Sequence, residues 1–151
     1  MKHRVHFTHI ALMALAAPAV AWAALGGNEA SVQVDRTQMK ATLRVAASNN
    51  NYTVHEIQTP AGTTVREYLS PAGTVFAVAW KGPVIPDLRQ VLGQYFDAYA
   101  NGTRVKHSGH SHLTVEQPGL VVQSRGHMRA FSGKAYIPGM LPAGVTVEEL
   151  R

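Results

Sequence analysis

His107-Ser108-Gly109-His110-Ser111-His112 places three imidazoles within six residues, on a stretch that glycine and serine leave pliable. Imidazole ligates borderline metals such as Zn²⁺, Cu²⁺ and Ni²⁺. On an extended chain His110 and His112 point the same way, and Gly109 lets His107 fold back toward them. Against a tight site, the nearest carboxylate downstream is Glu116, and Arg104 and Lys106 add charge that opposes a cation. A solvated polar loop is the plainer reading. A histidine-based Zn or Cu protein built on His107, His110 and His112 stands as the alternative function.

A second cluster is basic. Arg125, His127, Arg129 and Lys134 fall within ten residues around Gly126, a residue able to turn the chain. Such a group fits an anion, whether phosphate, carboxylate or an acidic polysaccharide. The plainer reading is a solvated basic strand face. The chain shows no phosphate-cradling glycine loop, nucleophile elbow or pair of catalytic acids at a familiar spacing. No catalytic set emerges, so the protein is expected not to be an enzyme and to need no cofactor.

The elements that position these residues follow from turns and periodicity. Thr59-Pro60-Ala61-Gly62-Thr63 and Ser70-Pro71-Ala72-Gly73-Thr74 are near copies, eleven residues apart. Proline presets the first corner, and glycine takes the left-handed position that closes a three-residue hairpin loop. The spacing predicts an antiparallel meander over 52–58, 63–69 and 74–81. Counting outward pairs Ile57 with Val65, Glu56 with Arg66, His55 with Glu67 and Val54 with Tyr68. It also pairs Tyr68 with Phe76, Arg66 with Val78 and Thr64 with Trp80. One face then carries Tyr52, Val54, Tyr68, Phe76, Val78 and Trp80. The other is small and aliphatic, to be covered by further strands or by a second copy of the chain.

His55 beside Glu67 is an imidazole–carboxylate pair of the kind that serves as a general base. No nucleophile stands beside it, so a cross-strand ion pair is the simpler account. Glu56 with Arg66 reads as structural.

Leu88, Val91, Leu92, Tyr95, Phe96 and Tyr99 recur at helical spacing, which predicts one amphipathic helix over about 87–100. Pro86 and Asp87 start it and Asn101-Gly102 stops it. Its aromatics are expected on Tyr68, Phe76 and Trp80. Alternation predicts strands at 31–35, 40–47, 112–117, 119–124, 127–136 and 145–149. The fold class is α+β, mainly antiparallel.

Met1 to Ala23 reads as a secretory signal peptide. Lys2 and Arg4 open it, an uncharged apolar run fills 10–20, and Ala21-Trp22-Ala23 offers small-x-small cleavage. The remainder, 24–151, is one domain without a further membrane span. Losing Lys2 and Arg4 lowers the formal charge from +5 to +3, and export removes the chain from most nucleic acid. Zero cysteines excludes a disulfide scaffold, a thiolate metal site and a lipid-anchored cysteine.

Longer phrases carry a family resemblance. His55-Glu56-Ile57, Val65-Arg66-Glu67-Tyr68, Val75 to Trp80, Gly82-Pro83 and Pro86-Asp87-Leu88 form one group. Gly126 to Phe131, Gly133 and Ala135-Tyr136-Ile137-Pro138 form another. Together they resemble a bacterial domain of unknown function, number 2844. The resemblance implies a small exported protein and carries over no activity or site residue. The expected function is therefore a non-enzymatic binding module of the cell envelope, periplasmic or secreted. Its expected partner is an envelope protein or an anionic ligand.

Overall fold

Pro60-Ala61-Gly62 and Pro71-Ala72-Gly73 both reverse the chain, with the glycines at φ +83° and +76°. Each loop is closed by its flanking residues: Thr59 N donates to Thr63 O at 2.9 Å and Ser70 N to Thr74 O at 2.9 Å. These turns set the heart of a computed structural model that describes residues 25–105 and 112–151. The leader, and His107 and His110 of the histidine loop, lie outside the described residues.

Seven antiparallel strands make one sheet. They are β1 (Thr42–Ser48), β2 (Thr53–Gln58), β3 (Thr64–Leu69), β4 (Val75–Gly82), β5 (His112–Gln117), β6 (Leu120–His127) and β7 (Ala130–Tyr136). Their order across the sheet is β1-β2-β3-β4-β7-β6-β5. The β2–β3 register is the one obtained by counting, including Glu56 opposite Arg66 and His55 opposite Glu67. A further irregularity falls in the edge strand β1, between Val45 and Ala47.

The β3–β4 register departs from the count. Leu69 pairs with Val75, but Tyr68 pairs with Ala77, which leaves Phe76 as an extra residue. An extra residue in one strand flips every later side chain to the opposite face. Val78 and Trp80 therefore join Ile57 and Val65, and Ala77 and Ala79 join Tyr68. The expected aromatic face is split by this bulge.

Each face has its own cover. Ile57, Val65, Val75, Val78 and Trp80 pack with Val115, Leu120 and Val122 under the helices. The helices are α1 (Glu29–Gln38), α2 (Leu88–Leu92) and α3 (Phe96–Val105). Tyr95, Phe96 and Tyr99 meet this cluster and so share it with Trp80, but Tyr68 and Phe76 lie on the far side of the sheet. There Val54, Tyr68, Phe76, Ala77 and Ala79 are covered by Leu141, Val145 and Leu150 of the C-terminal tail. Tyr68 and Phe76 sit 6.2 Å apart, ring to ring, with Tyr52 beside both.

Three further expectations are corrected. Residues 31–35 are helical, not a strand: the Asn28 side chain caps α1 by accepting from Ser31 N at 3.1 Å. Ser31, Val32 and Asp35 are its buried positions, a helical spacing that the Val32/Val34 alternation concealed. The helix at 87–100 is broken at Gly93, where φ is +50°, and resumes past Asn101-Gly102 to residue 105. Gly102 lies inside α3, where a Cβ would collide with the Val115 side chain, so glycine there serves close packing on β5 and not a helix stop. Residues 145–149 are a 3₁₀ turn, Val147–Glu149, closed by a Thr146/Glu149 capping box. No helix among the described residues is long and apolar enough to cross a membrane.

Gly133 of β7 lies opposite Trp80, and a Cβ there would run into the indole ring. Overpacking of this kind costs about 1–3 kcal/mol. Gly133→Ala is predicted to lower the urea midpoint accordingly, although alanine is otherwise the better strand residue.

Candidate functional site

Titratable groups occupy both sides of the sheet. On the helix side, His55 and Glu67 sit opposite one another on β2 and β3 and are 5% and 1% exposed. Asp35 of α1, fully buried, lies against Glu67, and Gln90 of α2 donates from Nε2 to Asp35 Oδ1 at 2.8 Å. Burial pushes the Glu67 carboxyl well above its ordinary range, and the hydrogen bond with Asp35 and its charge add to the rise. Burial raises Asp35 as well, against hydrogen bonds from Glu67 and Gln90. This is a buried acid pair with both carboxyls held above their ordinary range, closed to substrate, and His55 makes no ion pair in it. A general-base role for His55 and Glu67 needs an open cleft that their burial denies.

On the tail side, Glu56 is clamped by two arginines. Arg66 Nε donates to Glu56 Oε2 at 2.9 Å and Arg44 Nη2 to Glu56 Oε1 at 2.5 Å. Burial pushes the Glu56 carboxyl up, but the hydrogen bonds and charges of Arg66 and Arg44 outweigh it and hold it below its ordinary value. Arg66 also reaches the tail, donating from Nη1 to Arg151 O at 2.6 Å. Tyr68 donates its hydroxyl to the same oxygen and accepts from Arg151 N, both at 3.0 Å.

The strand registers sort this face into rows. Nearest the tail are Glu116, Val121, Tyr136, Ala77, Tyr68 and Val54, mostly apolar. Next come Thr114, Gln123, Lys134, Ala79, Arg66, Glu56 and Arg44. The outermost row is His112, Arg125, Ser132, Lys81, Thr64, Gln58 and Thr42, with no apolar or acidic residue. Neighbouring strands are ~4.8 Å apart, so Lys81 and Arg125 stand about 10 Å from one another. Arg125 Nε lies 3.4 Å from Ser132 Oγ. The two outer rows hold five Lys or Arg and one carboxylate, and the tail crosses only part of them.

The basic residues expected around Gly126 are thus dispersed. Arg125 and His127 share the tail-side face. Lys134 is there too, but its Nζ donates to Val147 O at 2.7 Å and holds the tail. Arg129 does not share a strand face with His127. The turn falls at Met128-Arg129, where Arg129 has φ +61°, and Gly126 stays in β6. Gly126 is needed there because a Cβ would come within 2.6 Å of Ala130 O. Of the histidine set, only His112 is described; it is exposed at the end of the outer row. Lys81, Ser132 and Arg44 join the surface through long-range register, for which the local sequence carries no signal.

The profile of one family, described as a protein of unknown function (DUF2844), matches residues 21–150. The chain belongs to the DUF2844 family. Comparison with curated proteins and with solved structures finds no match. The phrases that make a DUF2844 sequence legible here, His55-Glu56-Ile57 and Val65-Arg66-Glu67-Tyr68, contain the buried acid and the clamp. They mark the interior of this DUF2844 chain more than its open surface.

Glu56→Gln is predicted to cost up to about 1.5–3 kcal/mol, the range for hydrogen bonds to charged groups. Arg44 adds the smaller part, since its side chain is 70% exposed against 40% for Arg66. The Glu56 carboxyl is depressed in the folded chain, so its contribution is present above the unfolded pKa. It is lost as pH falls through the folded value. Urea titrations of wild type and Glu56→Gln should therefore converge in acid.

Proposed function

We propose that this DUF2844 chain is an exported, non-catalytic module that binds an anionic ligand on the open part of its tail-side sheet face. The observation that carries this reading is charge segregation. Five of the twelve Lys and Arg beyond residue 23 fall in two adjacent cross-strand rows, with one of the nine carboxylates. That carboxylate, Glu56, is already neutralised by Arg44 and Arg66. Lys81, Arg125, Ser132 and His112 offer donors along a line that no apolar side chain interrupts.

A polar face on an antiparallel sheet is ordinary. A polar face with no acid in its outer row is a field, and it favours a ligand bearing several negative charges, such as an acidic polysaccharide. Export is supported by the apolar run at 10–20 before Ala21-Trp22-Ala23, and by a family match that begins only at residue 21. A non-catalytic role is supported by the enclosure of His55 and Glu67.

Equilibrium binding of polygalacturonate at low salt tests the reading. The wild type is expected to bind, and Lys81→Glu with Arg125→Glu to weaken binding at least about tenfold, an effect that added salt suppresses. Arg36→Glu with Arg104→Glu changes net charge equally on α1 and α3 and is expected to retain binding. Equal loss in both double variants, or no binding by the wild type, would overturn the assignment.

A further inference from the structure

The interior acid pair has no role in anion binding. Asp35 comes from α1 and Glu67 from β3, and neither is exposed by more than 1%. Asp35 Oδ1 is satisfied by Gln90, but Asp35 Oδ2 and Glu67 Oε2 have no hydrogen-bond donor. His55 Nδ1, also buried, faces the same compartment without a partner. The described ion pairs both belong to Glu56 on the other face, so no Lys or Arg compensates either carboxyl. Two carboxylates cannot both be ionised in such a place.

We propose that Asp35 and Glu67 form a proton-binding site that latches α1 onto the sheet, so that losing the shared proton releases the helix. The proton fills the gap in the donor count: Glu67 donates to Asp35, and Asp35 accepts from both Glu67 and Gln90. The segment before the helix is tied to β4, with Gly26 N donating to Val75 O and Val75 N to Gly27 O, but within α1 itself little else is buried. Ser31, Val32 and Asp35 are its only buried residues, and Val32 is the sole apolar one. The groups around the pair do not substitute for the proton. On α1, Glu29 and Arg36 are exposed; on α2, Arg89 lies 4.2 Å over the Phe96 ring. Beside Glu67, β4 presents Val78, and beside His55, β1 presents Val45. The raised pKa of Glu67 agrees in direction. A carboxyl raised in the folded state stabilises docking below its unfolded pKa and loses that effect as pH rises toward the folded value.

Hydrogen exchange of the full chain, corrected for intrinsic rates from about pH 5 to about pH 10, reads this directly. Protection of α1 amides is expected to fall up to about tenfold per pH unit between the unfolded and folded pKa of the pair and to level off above the folded one, while β4 amides, which open only with the whole sheet, stay protected. Glu67→Gln keeps a donor toward Asp35 without a proton to lose, so its α1 protection should be flat with pH. Asp35→Asn, which removes the second charge, should reduce the dependence to the part that the burial of Glu67 alone supplies. The wild type alone also gives a readout: the infrared band of a protonated carboxyl should persist at neutral pH and vanish on α1 release. Absence of that band at neutral pH, α1 protection independent of pH in the wild type, or undiminished pH dependence in a folded variant would each overturn the latch.

Discussion

Strands β2, β3 and β4 bury apolar side chains on both faces, and a sheet of that kind must be covered twice. Helices cover Ile57, Val65, Val78 and Trp80. The tail covers Val54, Tyr68, Phe76 and Ala77. The tail does this with almost no regular structure, so its backbone carbonyls need donors from the sheet. Arg66 and Tyr68 supply them at Arg151, and Lys134 at Val147. The polar residues that interrupt the tail-side face are therefore part of how that face is closed. Glu56, buried on the same face, is compensated by an arginine on each flanking strand.

Legibility in the sequence follows the range of the interaction. The Pro-Ala-Gly turns act over five residues, and the β2–β3 register read from them is the one found. The next hairpin has an equal turn and the same first pair, Leu69 with Val75, yet slips one residue at Phe76. Packing decides that slip. With the bulge, the large Val78 and Trp80 face the helices and the small Ala77 and Ala79 lie under the tail. Alternation cannot see this, because Val75 to Trp80 is apolar throughout. In α1, a buried Asp35 breaks the apolar stripe from which a helix is usually recognised. The candidate surface was legible only in part. Arg125 and Lys134 lie close in sequence, whereas Lys81, Arg66 and Arg44 reach Arg125 only through two, three and five strand pairings.

The charges end up sorted by their surroundings. Asp35 and Glu67 are withdrawn into the helix-side core, where burial disfavours their charged forms. Glu56 is neutralised by its arginines. What is left on the outer rows is an excess of positive side chains with little to oppose it. The basic field and the proton-sharing pair thus lie on opposite faces of one sheet, with Glu67 the strand acid that points to the helix side.

An unclosed sheet has two borders, and β1 forms one of them. Its irregularity between Val45 and Ala47 breaks the even ladder of free amides and carbonyls, and Arg44 places a charge beside it. A foreign strand cannot dock in continuous register along such a border. The kink thereby guards the chain against self-templated polymerisation, a hazard for a strand with Val45 in solvent and no disulfide to restrain it.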